Sequence, residues 1–293
     1  MTKKYIDLQM HSVYSDGILS PQELIQRAKR ENLSIIALTD HNCIDGIKEA
    51  IAAGKKEKIK VIPGIELYVK FLGKRLNLLG YGIDLENKKL NKILRNLQSD
   101  RLDWVRKVLK KAAKTGFQVK PEQIFKTRSK YIGLGHIIYI LGQDFKNKAL
   151  IRKLTRETDP DIFKIIEKFF MKGAPAYVPE KDIPALEALK LISSSGGISV
   201  LAHPGQQLRF GDDSLITKLK KNGLDGLEVL SPHHSWHQTF HYQKLALDLS
   251  LLISGGLDFH GDVLEPRAVI KNQWTYFRVP YSITKKLCQK INL

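Results

Sequence analysis

The 293-residue chain contains little cysteine and lacks a long apolar run. Its two cysteines, Cys43 and Cys288, are too few for a disulfide framework in a chain of this length, which favours a reducing compartment. The Leu-rich stretch 245–257 is interrupted by Asp248, so it falls short of the roughly 20 apolar residues of a membrane span. Charged residues near the start interrupt what would be a signal peptide. We therefore expect a soluble, cytoplasmic protein without a membrane partner.

Acidic residues are also scarce relative to basic ones, 30 against 48, which gives a net charge of +18. Such a balance attracts polyanions such as nucleic acids and nucleotides, but a lysine-rich surface without any ligand is the open alternative. Residues 86–172 contain 22 Lys and Arg and 9 Asp and Glu, so this segment alone contributes +13. The basic character belongs mainly to one part of the chain.

Short apolar runs alternate with amphipathic helical patterns in both end regions of the chain. The predicted strands are 5–8, 34–38, 61–67, 76–83, 198–202, 227–230 and 251–254. The predicted helices of these regions are 21–30, 44–53, 185–195, 214–222 and 236–248. Because strand and helix alternate, parallel pairing is expected, and with it an α/β sheet or barrel.

The middle of the chain shows helical periodicity without strands. A broad apolar stripe predicts a long amphipathic helix over 88–115, which Gly116 ends. Further helices are predicted at 132–142, 146–156 and 160–171. The sequence thus predicts a discontinuous barrel domain formed by residues 1–85 and 173–293, with a basic helical insertion domain over 86–172.

Histidines and carboxylates follow most of the predicted strands. A closed barrel brings its strand ends together around one axis, where such folds keep their active sites. A cluster of imidazoles and carboxylates without cysteine suits divalent Zn, Mn, Fe or Mg. Several such ions in one cavity suit hydrolysis of a phosphoester, because one ion makes hydroxide available near neutral pH and its neighbours hold phosphoryl oxygens.

The motifs and their order resemble the PHP (polymerase and histidinol phosphatase) family of metal-dependent phosphoesterases. They read DLQMHS at 7–12 with SDG at 15–17, LTDHN at 38–42, GIE at 64–66, LGY at 79–81, VLAHP at 200–204 and GLDFHG at 256–261. The resemblance implies a distorted seven-stranded β/α barrel. The insertion and the GAPAYVP return at 173–179 are similar to the branch that includes 3′,5′-nucleoside bisphosphate phosphatases and 5′→3′ exoribonucleases.

The resemblance also implies a set of metal ligands for one to three divalent ions. They are His11, Asp16, His41, Glu66, His203, Asp258 and His260. Two further ligand positions depart from the family pattern, since Gln9 and Asn77 stand where histidines are usual. Leu257 replaces a usual Ser. Amides are weaker donors than imidazole toward Zn or Fe, so we expect one well-kept site, from Asp16, His41 and His260, and two weakened ones.

Residues outside the ligand set are candidates for substrate binding and catalysis. His136 matches a family histidine that contacts substrate phosphate, but a helix residue facing solvent is an equal alternative. The neighbouring family arginine is missing, and Arg128 or Lys130 is expected to supply its charge. His234 is the predicted catalytic residue, as a phosphate ligand or leaving-group acid. Glu228 is expected to orient its neighbours.

One more histidine pair has the spacing of a metal site. His237 and His241 lie four residues apart, on one face of a predicted helix. Without a nearby Glu, a solvated helix face is the favoured interpretation.

Three functions remain open from the sequence. The first is a metal-dependent phosphoesterase in which metal-bound hydroxide hydrolyses a phosphomonoester of a nucleotide or short RNA. The second is a catalytically impaired relative that binds one metal and nucleotides or RNA. The third is general nucleic-acid binding by the basic insertion alone, whose RNA affinity would depend on salt. The insertion is expected to overhang the barrel mouth and to attract phosphates there. The oligomeric state is open.

Overall fold

The computed structural model describes residues 4–126, 129–262 and 272–292. Two compact units are present, one formed by Met1–Leu94 with Asp182–Leu293 and the other by Arg95–Lys181. The boundaries of the second unit lie nine residues further along the chain than those predicted for the insertion.

The described ranges contain nine strands and twelve α-helices. The strands are β1 Tyr5–Met10, β2 Leu33–Leu38, β3 Lys60–Phe71, β4 Lys74–Tyr81, β5 Ile183–Pro184, β6 Ile198–Leu201, β7 Gly226–Leu230, β8 Leu252–Gly255 and β9 Val279–Pro280. The helices are α1 Pro21–Arg30, α2 Ile47–Glu57, α3 Lys88–Lys114, α4 Pro121–Phe125, α5 Leu134–Leu141, α6 Phe145–Thr155, α7 Ile162–Phe169, α8 Ala185–Ser194, α9 Pro204–Gln207, α10 Asp213–Lys221, α11 Trp236–Asp248 and α12 Tyr281–Lys290. All seven predicted strands are found, and the two-residue strands β5 and β9 are additional.

The strands form one nearly closed sheet in the first unit. Its order is β8-β7-β6-β4-β3-β2-β1-β9, with β5 beside β3. An isolated parallel bridge between Met10 and Phe259 joins the end of β1 to the segment that follows β8. The chain therefore has an α/β barrel-like fold, and the ends of β1, β2 and β8 are brought toward one another.

The sheet is not parallel throughout, which corrects the expectation from strand and helix alternation. β4 pairs antiparallel with both β3 and β6. The reason is the connection between β3 and β4, which consists only of Leu72 and Gly73, with φ values of 48° and 80°. A two-residue turn with positive φ can join only antiparallel strands.

Local sequence signals account well for the first helix. Ser20 caps α1 in a reciprocal capping box with Glu23, and Pro21 occupies the first helical turn. The buried face of α1 carries Leu24, Ile25 and Ala28, which is the spacing of an amphipathic helix. The helix therefore covers the sheet with its apolar stripe.

The second unit has its own apolar core, supplied by α3 and the helices that follow it. Trp104, Val105 and Val108 of α3 belong to this core, together with Phe117 and Phe169. The rings of Phe117 and Phe169 meet edge to face with centroids 5.0 Å apart. No helix in the described part of the chain combines the length and apolarity needed to cross a membrane.

Candidate metal centre

Strand β1 ends at the centre of the candidate site. Side chains alternate along a strand, so Gln9 and His11 share one face, and both are buried. The loop after His11 turns back tightly, because the N–H groups of Ser15 and Gly17 both donate to the carbonyl of Ser12 at 3.0 Å. A Cβ at Gly17 would lie 2.2 Å from the His11 carbonyl oxygen, so only glycine fits there. This turn places Asp16 beside His11.

Asp40 holds the same loop from the end of β2. Its buried carboxylate accepts the backbone N–H and the hydroxyl of Ser12, each at 2.7 Å, and the hydroxyl of Ser15. Burial raises the pKa of Asp40, while the two serines and the nearby His11 ring oppose the rise. Asp40 thus fixes the loop and, within the described ranges, belongs to no group of metal-ligating side chains.

Glu66, in the middle of β3, is the common neighbour of three histidines. Its Oε2 lies 3.1 Å from His11 Nε2 and 3.4 Å from His41 Nδ1. Its Oε1 lies 3.2 Å from His203 Nε2. The carboxyl group is fully buried. Because β2 and β3 are paired, His41 and Glu66 also form a backbone bridge.

The segment after β8 completes the cluster. Asp258 Oδ1 lies 3.1 Å from His11 Nε2, and His260 Nε2 lies 3.2 Å from Asp16 Oδ1. Asp16 Oδ2 lies 3.5 Å from His41 Nε2. Asp258 and His203 have positive φ, 56° and 23°. Backbone in this region costs free energy in a residue with a side chain, and such residues concentrate at functional sites.

These contacts define two overlapping groups of donor atoms in the first unit. The groups are His11, Asp16, His41 and His260, and His11, Glu66 and Asp258. The seventh predicted ligand, His203, contacts Glu66 and belongs to neither group. All seven predicted ligands therefore lie in one cluster, six of them in the two groups.

The donor atoms fit a divalent cation. Within the described ranges, the buried oxygens Glu66 Oε2 and Asp258 Oδ1 each lie 3.1 Å from His11 Nε2 but form no hydrogen bond of good geometry, and the single N–H that this nitrogen can carry could satisfy only one of them. Buried carboxylate oxygens normally have hydrogen-bond donors, so a set left without them needs another positive group. Imidazole nitrogens and carboxylate oxygens are donors that Zn, Mn and Fe accept.

The histidines and carboxylates also shift one another's protonation. Burial alone would raise the pKa values of Asp16 and Glu66, but the neighbouring histidines hold both pKa values well below their usual range. Burial lowers the pKa of His41 to about 4, which leaves its ring neutral near neutral pH. Burial also acts to lower the pKa of His203, yet Glu66 beside it raises that pKa to about 9. The carboxylates thus keep their charge inside the protein and attract positive partners.

Gln9 and Asn77, at the two departing positions, both contact Glu66. Gln9 Nε2 donates to Glu66 Oε1 at 3.3 Å, and Asn77 Nδ2 donates to the same oxygen at 2.7 Å. Both side chains therefore present an N–H group to the carboxylate where a metal ligand would present a lone pair.

His234 and His233 have different surroundings. The Nδ1 of His234 bonds the Val229 carbonyl at 2.9 Å, and its Nε2 accepts the N–H of Gly205 at 3.0 Å. Burial lowers the pKa of His234 to about 4. His233, which the sequence did not single out, places Nε2 2.9 Å from Asp258 Oδ2. The catalytic role of His234 stays a prediction, and its contacts show a ring that fixes two backbone segments.

Glu228 and the histidine pair of α11 were also named from the sequence. Glu228 accepts the backbone N–H of His203 at 2.7 Å, an orienting contact, and burial raises the pKa of Glu228 to about 8. His241 pairs with Asp213 at 2.9 Å, and His237 is exposed on the same helix. Within the described ranges, the pair His237 and His241 belongs to no group of metal-ligating side chains.

The predicted phosphate-binding residues belong to the second unit. His136 accepts the N–H of Gly133 through Nδ1 at 3.2 Å, at the start of α5. Lys130 is exposed. Arg128 lies outside the described residues. The substrate roles of these three residues stay predictions.

Tyr68 is a site residue that the sequence analysis missed. Its hydroxyl lies 3.1 Å from His41 Nε2, and the Arg75 guanidinium lies 4.2 Å from the centre of its ring. Tyr68 follows Glu66 by two residues on β3, so the alternation of side chains could have placed both on one face.

Comparison with known proteins agrees with this geometry. The PHP domain model matches residues 7–250. A 5′-3′ exoribonuclease from Haemophilus influenzae is 31% identical over 264 residues, which cover 89% of this chain and 91% of the relative. A 3′,5′-nucleoside bisphosphate phosphatase from Chromobacterium violaceum is 29% identical over 267 residues, 87% of each chain.

A solved structure from Bifidobacterium adolescentis, named as a metal-dependent phosphoesterase, superposes with a TM-score of 0.79. The superposition covers 98% of this chain and 96% of that one at 20% identity, so it shows a common fold. The matched family model spans most of the sequence and includes His11, Asp16, His41 and Glu66 of the clustered donors, while Asp258 and His260 follow its end. The chain belongs to the PHP domain family.

Proposed function

We propose that this protein is a divalent-metal-dependent phosphoesterase that hydrolyses a phosphomonoester of a nucleotide or short RNA. The observation that carries the proposal is the pair of donor groups that share His11, whose buried carboxylate oxygens Glu66 Oε2 and Asp258 Oδ1 form no hydrogen bond of good geometry in the described ranges. When bound there, divalent ions lower the pKa of a coordinated water and neutralise phosphoryl oxygens. Donors without thiolate suit Mn, Fe, Zn or Mg.

The surrounding side chains orient residues of the cluster. Asp40 holds the loop that carries Asp16, and Glu228 holds the backbone of His203. His233, whose side chain is 32% exposed, contacts Asp258, whose side chain is 12% exposed. Partners of this kind fix the direction of ligand lone pairs and commonly change metal affinity or activity by about 10–100-fold when removed.

The substrate class is inferred from charge and from relatives. Arg95–Lys181, the second unit, contains 20 Lys and Arg and 9 Asp and Glu. A surface of this charge raises the local concentration of polyanions. The two relatives described above are named for a nucleoside bisphosphate and for RNA. We therefore infer a substrate with more than one phosphate, and contact of RNA with the second unit.

A specific observation favours a second candidate function. Gln9 and Asn77 donate N–H groups to Glu66, so two positions around this carboxylate lack metal-ligating imidazoles. A protein with amides in place of these two histidines would bind metal and nucleotides without turnover. This alternative predicts metal and nucleotide binding with no release of phosphate.

Metal removal and refilling test the proposed function. The protein is stripped with EDTA and refilled with Mn, Mg, Fe or Zn. It is then given a nucleoside 3′,5′-bisphosphate or a short 5′-phosphorylated oligoribonucleotide. We expect phosphate release only after refilling. Without a cation, the clustered carboxylates repel the anionic phosphate of the substrate. Binding of metal and nucleotide without release would favour the second candidate, and absence of metal binding would contradict both.

Two adjacent histidines are expected to respond differently to mutation. His233→Ala removes one partner of Asp258, the ring that contacts Oδ2, and should lower kcat/KM by about 10–100-fold with little change in stability. His234→Ala removes the hydrogen bonds that the ring makes to the Gly205 N–H and the Val229 carbonyl and should lower the free energy of local opening around them by about 1–3 kcal/mol. Steady-state kinetics and hydrogen exchange measured peptide by peptide measure the two effects. The reverse pattern would support the catalytic role predicted for His234.

A further inference from the structure

The two oxygens of Glu66 have separate partners. Oε2 faces His11 and His41, the side of the two donor groups. Oε1 faces His203 at 3.2 Å, Gln9 Nε2 at 3.3 Å and Asn77 Nδ2 at 2.7 Å. The corner between Glu66, Asn77 and His203 is thus filled with hydrogen-bond donors directed at one carboxylate oxygen.

Gln207, the last residue of α9, fixes the orientation of the Asn77 amide. The backbone N–H of Asn77 can only donate, and Gln207 Oε1 accepts it at 3.1 Å. The amide nitrogen of Gln207 must then point the other way, and it donates to Asn77 Oδ1 at 2.8 Å. With its oxygen so engaged, Asn77 can present only its N–H₂ group to Glu66.

Neither amide can rotate alone to reverse this arrangement. Rotation of Asn77 by 180° would place its N–H₂ group against the N–H₂ group of Gln207. Rotation of Gln207 as well would place a donor against the backbone N–H of Asn77. Each alternative leaves two donors facing each other at a largely buried position, since Asn77 is 6% exposed. The backbone N–H of Asn77 therefore determines that a hydrogen-bond donor, and not an acceptor, faces Glu66.

We propose that Gln207 is a positioning residue that, through Asn77, keeps a divalent cation out of the corner between Glu66, Asn77 and His203. This inference rests on the proposed metal centre. The Asn77 N–H₂ group supplies the positive partner of Glu66 Oε1 that a cation would otherwise supply. The ions of this protein are confined to the two donor groups that contain His11, at most two per chain.

The Gln207→Glu variant tests the proposal with a nearly isosteric change. Both carboxylate oxygens of the new side chain can only accept, so the Asn77 N–H₂ group turns toward position 207. Asn77 Oδ1 then faces Glu66 Oε1, and a cation is needed between the two oxygens. We expect the variant to bind one more Mn²⁺ per chain than the wild-type protein. The extra ion should give an anomalous diffraction peak within about 2.5 Å of Asn77 Oδ1.

A second variant and a control accompany it. Asn77→Asp replaces the N–H₂ group by oxygen but keeps the acceptor for Gln207, and it should also gain one ion. Gln206→Glu adds the same charge at the adjacent exposed residue and should keep the wild-type count. Metal content is measured by equilibrium dialysis against Mn²⁺ and elemental analysis, with circular dichroism to verify folding.

The outcomes separate this inference from the proposed function. A wild-type chain without bound Mn²⁺ would overturn the proposed function, and the inference with it. A wild-type chain with an ion beside Asn77 would overturn the inference alone. The inference would also fail if both variants folded and kept the wild-type count, or if Gln206→Glu gained the same ion.

Discussion

The Glu66→Gln protein is expected to lose at least about 100-fold in kcat/KM and to bind Mn²⁺ more weakly than the wild type. Glu66 is fully buried and contacts His11, His41 and His203. The substitution keeps the shape of the side chain but removes the charge that draws these rings together. Loss of partners outside the ligand shell already costs about 10–100-fold in metalloenzymes, so loss of a central carboxylate should cost more.

The matched control is Glu228→Gln, which also changes a buried glutamate at a strand of the same sheet. Glu228 accepts one backbone N–H, from His203, and a glutamine oxygen accepts that bond equally well. We therefore expect less than about a tenfold change in kcat/KM. Metal titration followed by kinetics of both proteins measures the contrast. Equal losses in the two variants would show that burial, and not the position of Glu66 in the cluster, determines the effect.

Glu66→Gln also serves the assay of the proposed function. A contaminating phosphatase would release the same phosphate from wild-type and variant preparations. A metal-dependent signal that disappears with Glu66→Gln belongs to this chain. Circular dichroism of the variant must match that of the wild type, because a misfolded protein would lose the signal for another reason.

The clustering of many site residues could be predicted from the sequence, because these residues lie at the ends of strands. His11, His41 and Asp258 each lie at or just after the end of a strand, and a nearly closed sheet must bring such ends together. Local helix signals were equally reliable, since the capping box at Ser20 determines where α1 begins. These features depend on residues near one another in sequence or on the general geometry of the fold.

The features that were missed depend on contacts across the chain. Asn77 and Gln207 are 130 positions apart, and only the folded structure shows that one orients the other. His233 and Asp258, 25 positions apart, likewise meet only in the fold. The antiparallel direction of β4 was different, because Leu72 and Gly73 give a local turn signal that the strand and helix alternation obscured.

Arg101→Leu is expected to destabilise the second unit strongly. Arg101, on α3, is 8% exposed and donates to the Ile132 carbonyl at 2.8 Å and to Glu180 at 2.6 Å. Its guanidinium also lies 3.9 Å and 4.1 Å from the ring centres of Trp104 and Tyr131. Breaking a fully buried charge pair costs about 3–5 kcal/mol, and because the remaining partner Glu180 is 20% exposed we expect a loss at the lower end, about 3 kcal/mol.

Hydrogen exchange measured peptide by peptide is the suitable readout, because a chain with two compact units has no single free energy of unfolding. A loss of about 3 kcal/mol corresponds to roughly 100-fold faster exchange of the protected amides around Arg101 and Ile132. Arg106→Leu is the control, since Arg106 lies on the same helix, is 61% exposed and pairs with the equally accessible Asp103.

That exposed pair should contribute at most about 1 kcal/mol. If Arg101→Leu changed exchange no more than Arg106→Leu did, the guanidinium would be a replaceable part of the core. The apolar residues of the second unit would then account for its stability without it. If only Arg101→Leu accelerated exchange, this one side chain would be what joins α3, Ile132 and Glu180, the three parts of the second unit that it contacts.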